Sequence, residues 1–194
     1  TITGMQGMIR CGVLAACLVA CHTSDPATPD SGSPDASTGA TGMHVTFTTS
    51  PAAWPGAIDD GFQLDDATFR FDNLKVIGDS GPGDDRTTAD DFQLHWDAMS
   101  MPPTIDFADA PSGVYSKVSF HMDGHLIEES YELHGHVTLN GVSMPFEIED
   151  REAMSQSLEC NRTLSPGGSI TVNVRLDLAS ALASIDWTKV HLDD

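Results

Sequence analysis

The sequence predicts an all-β protein: an antiparallel two-sheet sandwich behind a disordered N-terminal tether. Three observations predict it. Apolar and polar residues alternate with a period of two along most of residues 43 to 180, as strands with one buried face require. Asn140-Gly141 sits between two alternating runs, and this is the dipeptide that a two-residue hairpin turn favours. The connections are rich in Gly, Pro and Asp, and only one short stretch has helical spacing. An open barrel is the rival architecture, because the same alternation can close a single sheet on itself.

Each element follows from its own pattern. "MHVTFTT" (43 to 49) places Val45 and Phe47 on one side. In "DATFRFDNLKVIG" (66 to 78), Ala67, Phe69 and Phe71 share a face, and then the phase shifts so that Leu74 and Val76 stay inward. Such a shift calls for a bulge near Asn73. "FQLHW" (92 to 96) sets Phe92, Leu94 and Trp96 against His95. "GVYSKVSFHMDG" (113 to 124) sets Val114, Ser116, Val118, Phe120 and Met122 inward, against Tyr115, Lys117, Ser119 and His121. The hairpin "YELHGHVTLNGVSMPFEIE" (131 to 149) turns Leu133, Val137, Leu139, Val142, Met144, Phe146 and Ile148 to the core. "SITVNVRLDL" (169 to 178) carries Ile170, Val172, Val174 and Leu176 inward, and "ASALASIDW" (179 to 187) reads as a short terminal helix.

The N-terminal stretch "MIRCGVLAACLVACHTSD" (8 to 25) has a different character. Arg10 precedes an apolar or small-residue run from 11 to 20, and polar residues follow Cys21. That is the layout of an export leader. The run falls short of the roughly 20 residues a helix needs to span a bilayer. Its last four residues, Leu18-Val19-Ala20-Cys21, resemble the lipobox of bacterial lipoproteins. The resemblance implies cleavage before Cys21 and attachment of diacylglycerol to its sulfur. It also implies residence in the bacterial cell envelope, held to the inner or outer membrane by palmitate-type chains. Each buried methylene contributes about 0.8 kcal/mol, so two or more chains hold firmly. The chain opens on Thr1, which leaves Met5 and Met8 as candidate initiators. Residues 23 to 42, "TSDPATPDSGSPDASTGATG", offer no large apolar side chain to bury and read as an extended tether. The expected layout is a leader at 1–20, lipidated Cys21 and linker at 21–42, and one domain at 43–194.

Within that domain, "FRFDNLKVIGD", "FQLHW", "IDFADAPSGVYSKVSFHMDG" and "GGSITVNVRLDL" together are similar to a family of bacterial lipoproteins with an immunoglobulin-like or transthyretin-like sandwich and no assigned function. The similarity covers roughly 43 to 180. Its most specific piece is Pro111-Ser112-Gly113-Val114-Tyr115 leading into a strand. A weaker similarity, through the Gly-x-Tyr strand, is to periplasmic copper-associated proteins, whose tryptophan-rich downstream motif is missing here. Neither resemblance implies a catalytic residue.

Composition narrows the partners. The net charge is −20. Of 9 basic residues only Arg10 precedes Cys21, so removal of the leader leaves 8 bases against 29 acids, a charge of −21. That field repels nucleic acid and anionic headgroups, while cations, basic proteins and neutral glycans are tolerated. An unidentified protein or glycan is therefore the expected partner, besides the membrane reached through the lipid. With Cys11 and Cys17 in the leader and Cys21 acylated, Cys160 is the remaining thiol and has no intrachain partner. It is either buried and inert or an intermolecular bridge. Asn161-Arg162-Thr163 matches a eukaryotic glycosylation sequon, which a bacterial lipoprotein does not use.

Two residue groups carry candidate ion chemistry. His121 and His125 flank Asp123 in "HMDGH", and His134 and His136 share a strand face near Glu147. If the two strands are neighbours, these imidazoles could converge on zinc or copper. Exposed histidines on an acidic sheet need no metal to explain them. The acidic segments "IDDGFQLDD" (58 to 66) and "GDSGPGDDRTTADD" (78 to 91) read as loops with the oxygen chemistry calcium prefers, although neither has EF-hand spacing. Asp79, Asp84, Asp85, Asp90 and Asp91 are the candidate ligands. No cofactor is required. Nucleophile elbow, P-loop, dinucleotide and zinc-protease motifs are all absent, and carboxylates are too numerous for any one pair to mark a glycosidase. Trp96 is phased with the core and Trp187 ends an apolar run, which leaves Trp54 as the loop-borne candidate for stacking on sugar. The expected function is a non-enzymatic binding or adhesion module on a tether, with a metal-binding protein as the alternative.

Overall fold

The computed structural model describes residues 8–9, 20–22, 41–59, 61–88, 90–123 and 128–185. Most of the expected leader, the first half of the lipobox, nearly all of the tether, His125 and Trp187 lie outside the described residues. The strands are β1 (Met8–Ile9), β2 (Ala20–His22), β3 (Gly42–Thr49), β4 (Gly56–Asp59), β5 (Phe62–Gly78), β6 (Arg86–Thr87) and β7 (Phe92–Trp96), then β8 (Ile105–Phe107), β9 (Gly113–Met122), β10 (Tyr131–Leu139), β11 (Val142–Asp150), β12 (Met154–Leu164) and β13 (Ser169–Leu176). A short helix, α1 (Leu178–Ala183), follows, its first turn capped by the Asp177 carboxylate accepting from Ser180 N–H. The protein is an all-β sandwich. A nine-stranded sheet packs on a four-stranded sheet of order β2-β13-β3-β8. The pairing is antiparallel except at β3 with β13 and at β1 with β11, which run parallel.

The large sheet is organised around β5, a strand of 17 residues. Phe69 has Leu94 of β7 on one edge and Tyr131 of β10 on the other; Phe71 has Phe92 of β7 and Met122 of β9. Strands β9 and β10 therefore lie end to end along the edge opposite β7. Beyond them β12 and β11 lie end to end in turn. The joint between the two halves is held by Ser130, which is fully buried. Its N–H donates to Asp150 O at 2.7 Å, and its hydroxyl reaches the carbonyls of Asp150 and Glu152 at 2.8 and 2.9 Å. Its own carbonyl accepts from Arg70 N–H at 2.9 Å, so one small polar residue joins three rows of strands.

Bulges keep the long strands facing inward. Phe71 and Leu74 are both buried although three positions apart, because Asp72 is an extra residue in the ladder, next to the expected Asn73. A second bulge at Asp65 does the same for Leu64 and Ala67. Residues 58–59 and 62–66 are accordingly strand, not the acidic loop expected from their composition. A third irregularity, at Ser116 opposite Cys160 and Asn161, reverses the expected phase at the start of β9. Tyr115 is buried and Val114 is exposed. The Tyr115 hydroxyl donates to Pro111 O at 2.8 Å, which closes the Pro-Ser-Gly-Val-Tyr segment into a corner. In the hairpin, Asn140 and Gly141 take positive φ as expected. Val142, expected inward, is exposed because the hairpin tip runs past the start of β5, whose pairing ends at Val137.

Phe47 of β3 joins the sheets. Its ring centroid lies 5.4 Å from Phe71, 6.2 Å from Phe120 and 6.5 Å from Phe92, and Phe71 stacks on Phe92 at 5.0 Å. Such contacts add to the burial of the rings themselves. A second group, Phe69 with Trp96 and Tyr131, lies farther along the same face of β5. Among the described residues Phe47 is the one ring that the small sheet contributes to the larger of these groups; the Phe47→Ala variant is expected to lose about 3–5 kcal/mol of stability, read from the urea midpoint at constant m-value.

Candidate functional site

The outer face of the hairpin carries the densest pairing of imidazoles and carboxylates. Asp66 of β5, His134 of β10 and Glu147 of β11 are direct cross-strand partners, three strands in one row. His134 Nδ1 lies 2.7 Å from Asp66 Oδ1 and Nε2 lies 3.4 Å from Glu147 Oε1. The bulge at Asp65 turns that carboxylate to the same face, where its Oδ2 meets His136 Nδ1 at 2.6 Å. Together with Pro145 and Phe146 these side chains border a shallow depression of about 250 Å³. Gly135, between the two histidines, is needed for close approach: a Cβ there would run into the Gln63 carbonyl and the Phe146 ring.

Electrostatics decides what the row does. Partial burial pushes the His134 pKa down, but hydrogen bonding and attraction from Asp66, then Glu147, outweigh it and leave the group above its ordinary 6.5. The imidazolium is therefore favoured, with an acceptor at each nitrogen. In that state it fastens β5, β10 and β11 together and offers no lone pair to a metal. Among the described residues no group of three or more His, Cys, Asp or Glu side chains is arranged to hold a metal ion.

The other candidate ligands are dispersed. His121 lies opposite Asn73, and its Nδ1 is 2.8 Å from Ser155 Oγ. His134 lies opposite Asp66, so the two rings are separated by roughly 20 Å along β5 at about 3.3 Å per residue. The strands of His121 and of the hairpin are collinear, not side by side, and the expected convergence does not form. Of the candidate calcium ligands, Asp79 accepts from Ser116 Oγ at 3.0 Å. Asp85 pairs with Lys75 Nζ at 2.8 Å, which holds its carboxyl below the usual range. Asp84 Oδ2 is sequestered, and Asp90 and Asp91 are exposed farther along the chain. Cys160 is half-buried and packs on the core, its Sγ 3.6 Å from Tyr115 O. Trp54 is loop-borne as expected, between β3 and β4, and it also packs against the core, with Nε1 donating to Thr49 Oγ1 at 3.0 Å.

One polar network was not expected. His95 bridges Thr68 Oγ1 at 2.9 Å and Asp97 Oδ2 at 3.1 Å. Asp97 Oδ1 accepts from the Met99 and Ser100 N–H groups, the Met99 bond foremost in pulling the pKa down to about 2. The signal was legible as Asp-x-x-Ser directly after a strand, a side-chain-closed turn.

No known protein-family model matches the chain, and no curated protein or solved structure matches it.

Protonated His134 favours the folded state. Its contribution is complete below 6.5 and fades as pH rises through the higher folded value. Melting temperature is thus expected to fall on the alkaline side of 6.5, and His134→Gln is expected to flatten that slope, as followed by circular dichroism across a pH series.

Proposed function

We propose that this chain is an exported lipoprotein of the bacterial cell envelope, acylated on Cys21, whose acidic β-sandwich is a binding module held off the membrane by the 23–42 tether. One observation carries the reading: an apolar run too short to span a bilayer ends in Leu18-Val19-Ala20-Cys21 and is followed by a tract with nothing to bury. The sandwich supports it, as a rigid platform that presents edges and loops for recognition. The charge of −20 favours cationic or neutral partners. Expressed in a diderm bacterium fed an alkyne palmitate analogue, the chain is expected to take up the label and to lose residues 1–20 by mass spectrometry. Cys21→Ala is expected to abolish both; label retained on that variant, or an intact leader on the wild type, overturns the reading.

A second reading, zinc or copper binding, draws on one observation: His134, His136, Asp65, Asp66 and Glu147 border a single depression. Binding there requires deprotonating His134 and breaking its ion pairs, so affinity rises with pH. Calorimetry with zinc chloride is expected on this reading to give about one equivalent, abolished in His134→Ala/His136→Ala; no heat at pH 8 removes it.

A further inference from the structure

A cleft of about 420 Å³ opens between the two sheets on the side where both end. One wall is β6 with the start of β7, and the other is β8. Among the described strands, β6 and β7 pair only with β5, and β8 pairs only with β3. Both walls are therefore sheet edges, which present backbone N–H and C=O groups to an added strand. Phe92, Ile105 and Phe107 supply an apolar floor. Around it stand the carboxylates of Asp90, Asp91, Asp106 and Asp109, against the single guanidinium of Arg86. Arg86 is itself held by Asp109, with Nε to Oδ2 and Nη2 to the carbonyl both at 3.1 Å, so it links the two walls.

We propose that this cleft binds an extended basic segment of a partner protein. The inference rests on the reading of the sandwich as a binding module and names the chemistry of its ligand. An extended chain sends alternate side chains to opposite faces. One set fits the apolar floor while the other, if Lys or Arg, meets the aspartates. Charge complementarity selects that occupant: anionic segments are repelled by the rim, and a second copy of this chain is repelled by its own charge of −20. The aspartates are not arranged around a common point as a cation site would need.

The test uses the purified full chain in non-ionic detergent and a fluorescein-labelled heptapeptide alternating arginine and valine, read by fluorescence anisotropy. Saturable binding is expected, weakening as salt is raised. Asp90→Asn/Asp91→Asn is expected to weaken it by about tenfold. Ile105→Ala weakens it without changing charge. Glu149→Gln/Glu159→Gln, which removes two charges from β11 and β12, leaves it unchanged. Overturning results are no saturable binding, equal loss from the two charge-removing pairs, or equal affinity for a peptide alternating glutamate and valine. Acylation of Cys21 is read independently by mass, so failure of the cleft is distinguishable from failure of the lipoprotein reading.

Discussion

The constraint on which the rest of the structure depends is that β5 must keep one apolar face over its whole length while bordering strands on both edges. A strand alternates strictly, so a sequence with Leu64 and Ala67, then Phe71 and Leu74, on the same side needs two insertions into the ladder. Asp65 and Asp72 are those insertions. Without them half of the inward set would face water. With them, Leu64, Ala67, Phe69, Phe71, Leu74 and Val76 form one continuous floor, on part of which Phe47 of the opposing sheet is seated. The collinear arrangement of β9 with β10, and of β11 with β12, follows because each half pairs with its own half of β5.

The same bulge that rescues the core arms the exterior. With Asp65 extra, adjacent aspartates face outward together, one beside each hairpin histidine. Packing and electrostatics are thus set by a single local irregularity. The outcome is a clamp across three strands, in which an imidazole set between two carboxylates takes up a proton more readily than an ordinary histidine. Metal binding would compete directly with that clamp for the same nitrogens.

Sandwiches leave open sides, and here the open side is where the chemistry best suits a macromolecular ligand. The cleft between β6, β7 and β8 combines two edges that pair with no further strand among the described residues, an apolar floor and an acidic rim.

Alternation, the Asn140-Gly141 turn and the need for a bulge beside Asn73 made the all-β sandwich legible from composition and spacing, because strand period and turn chemistry are local properties. The site was only half legible. That His134 and His136 share a face follows from period two, but their partners Asp65 and Asp66 sit some 70 positions earlier, in a stretch whose composition resembled a loop. The inversion at Tyr115 escaped because it depends on a mismatch with β12, and the separation of His121 from the hairpin because it depends on where β9 pairs along β5. Both are decided by register between distant segments. Local sequence sets which side a residue faces; only the assembled sheet decides whom it meets there, since register minimises buried mismatch over all strands at once.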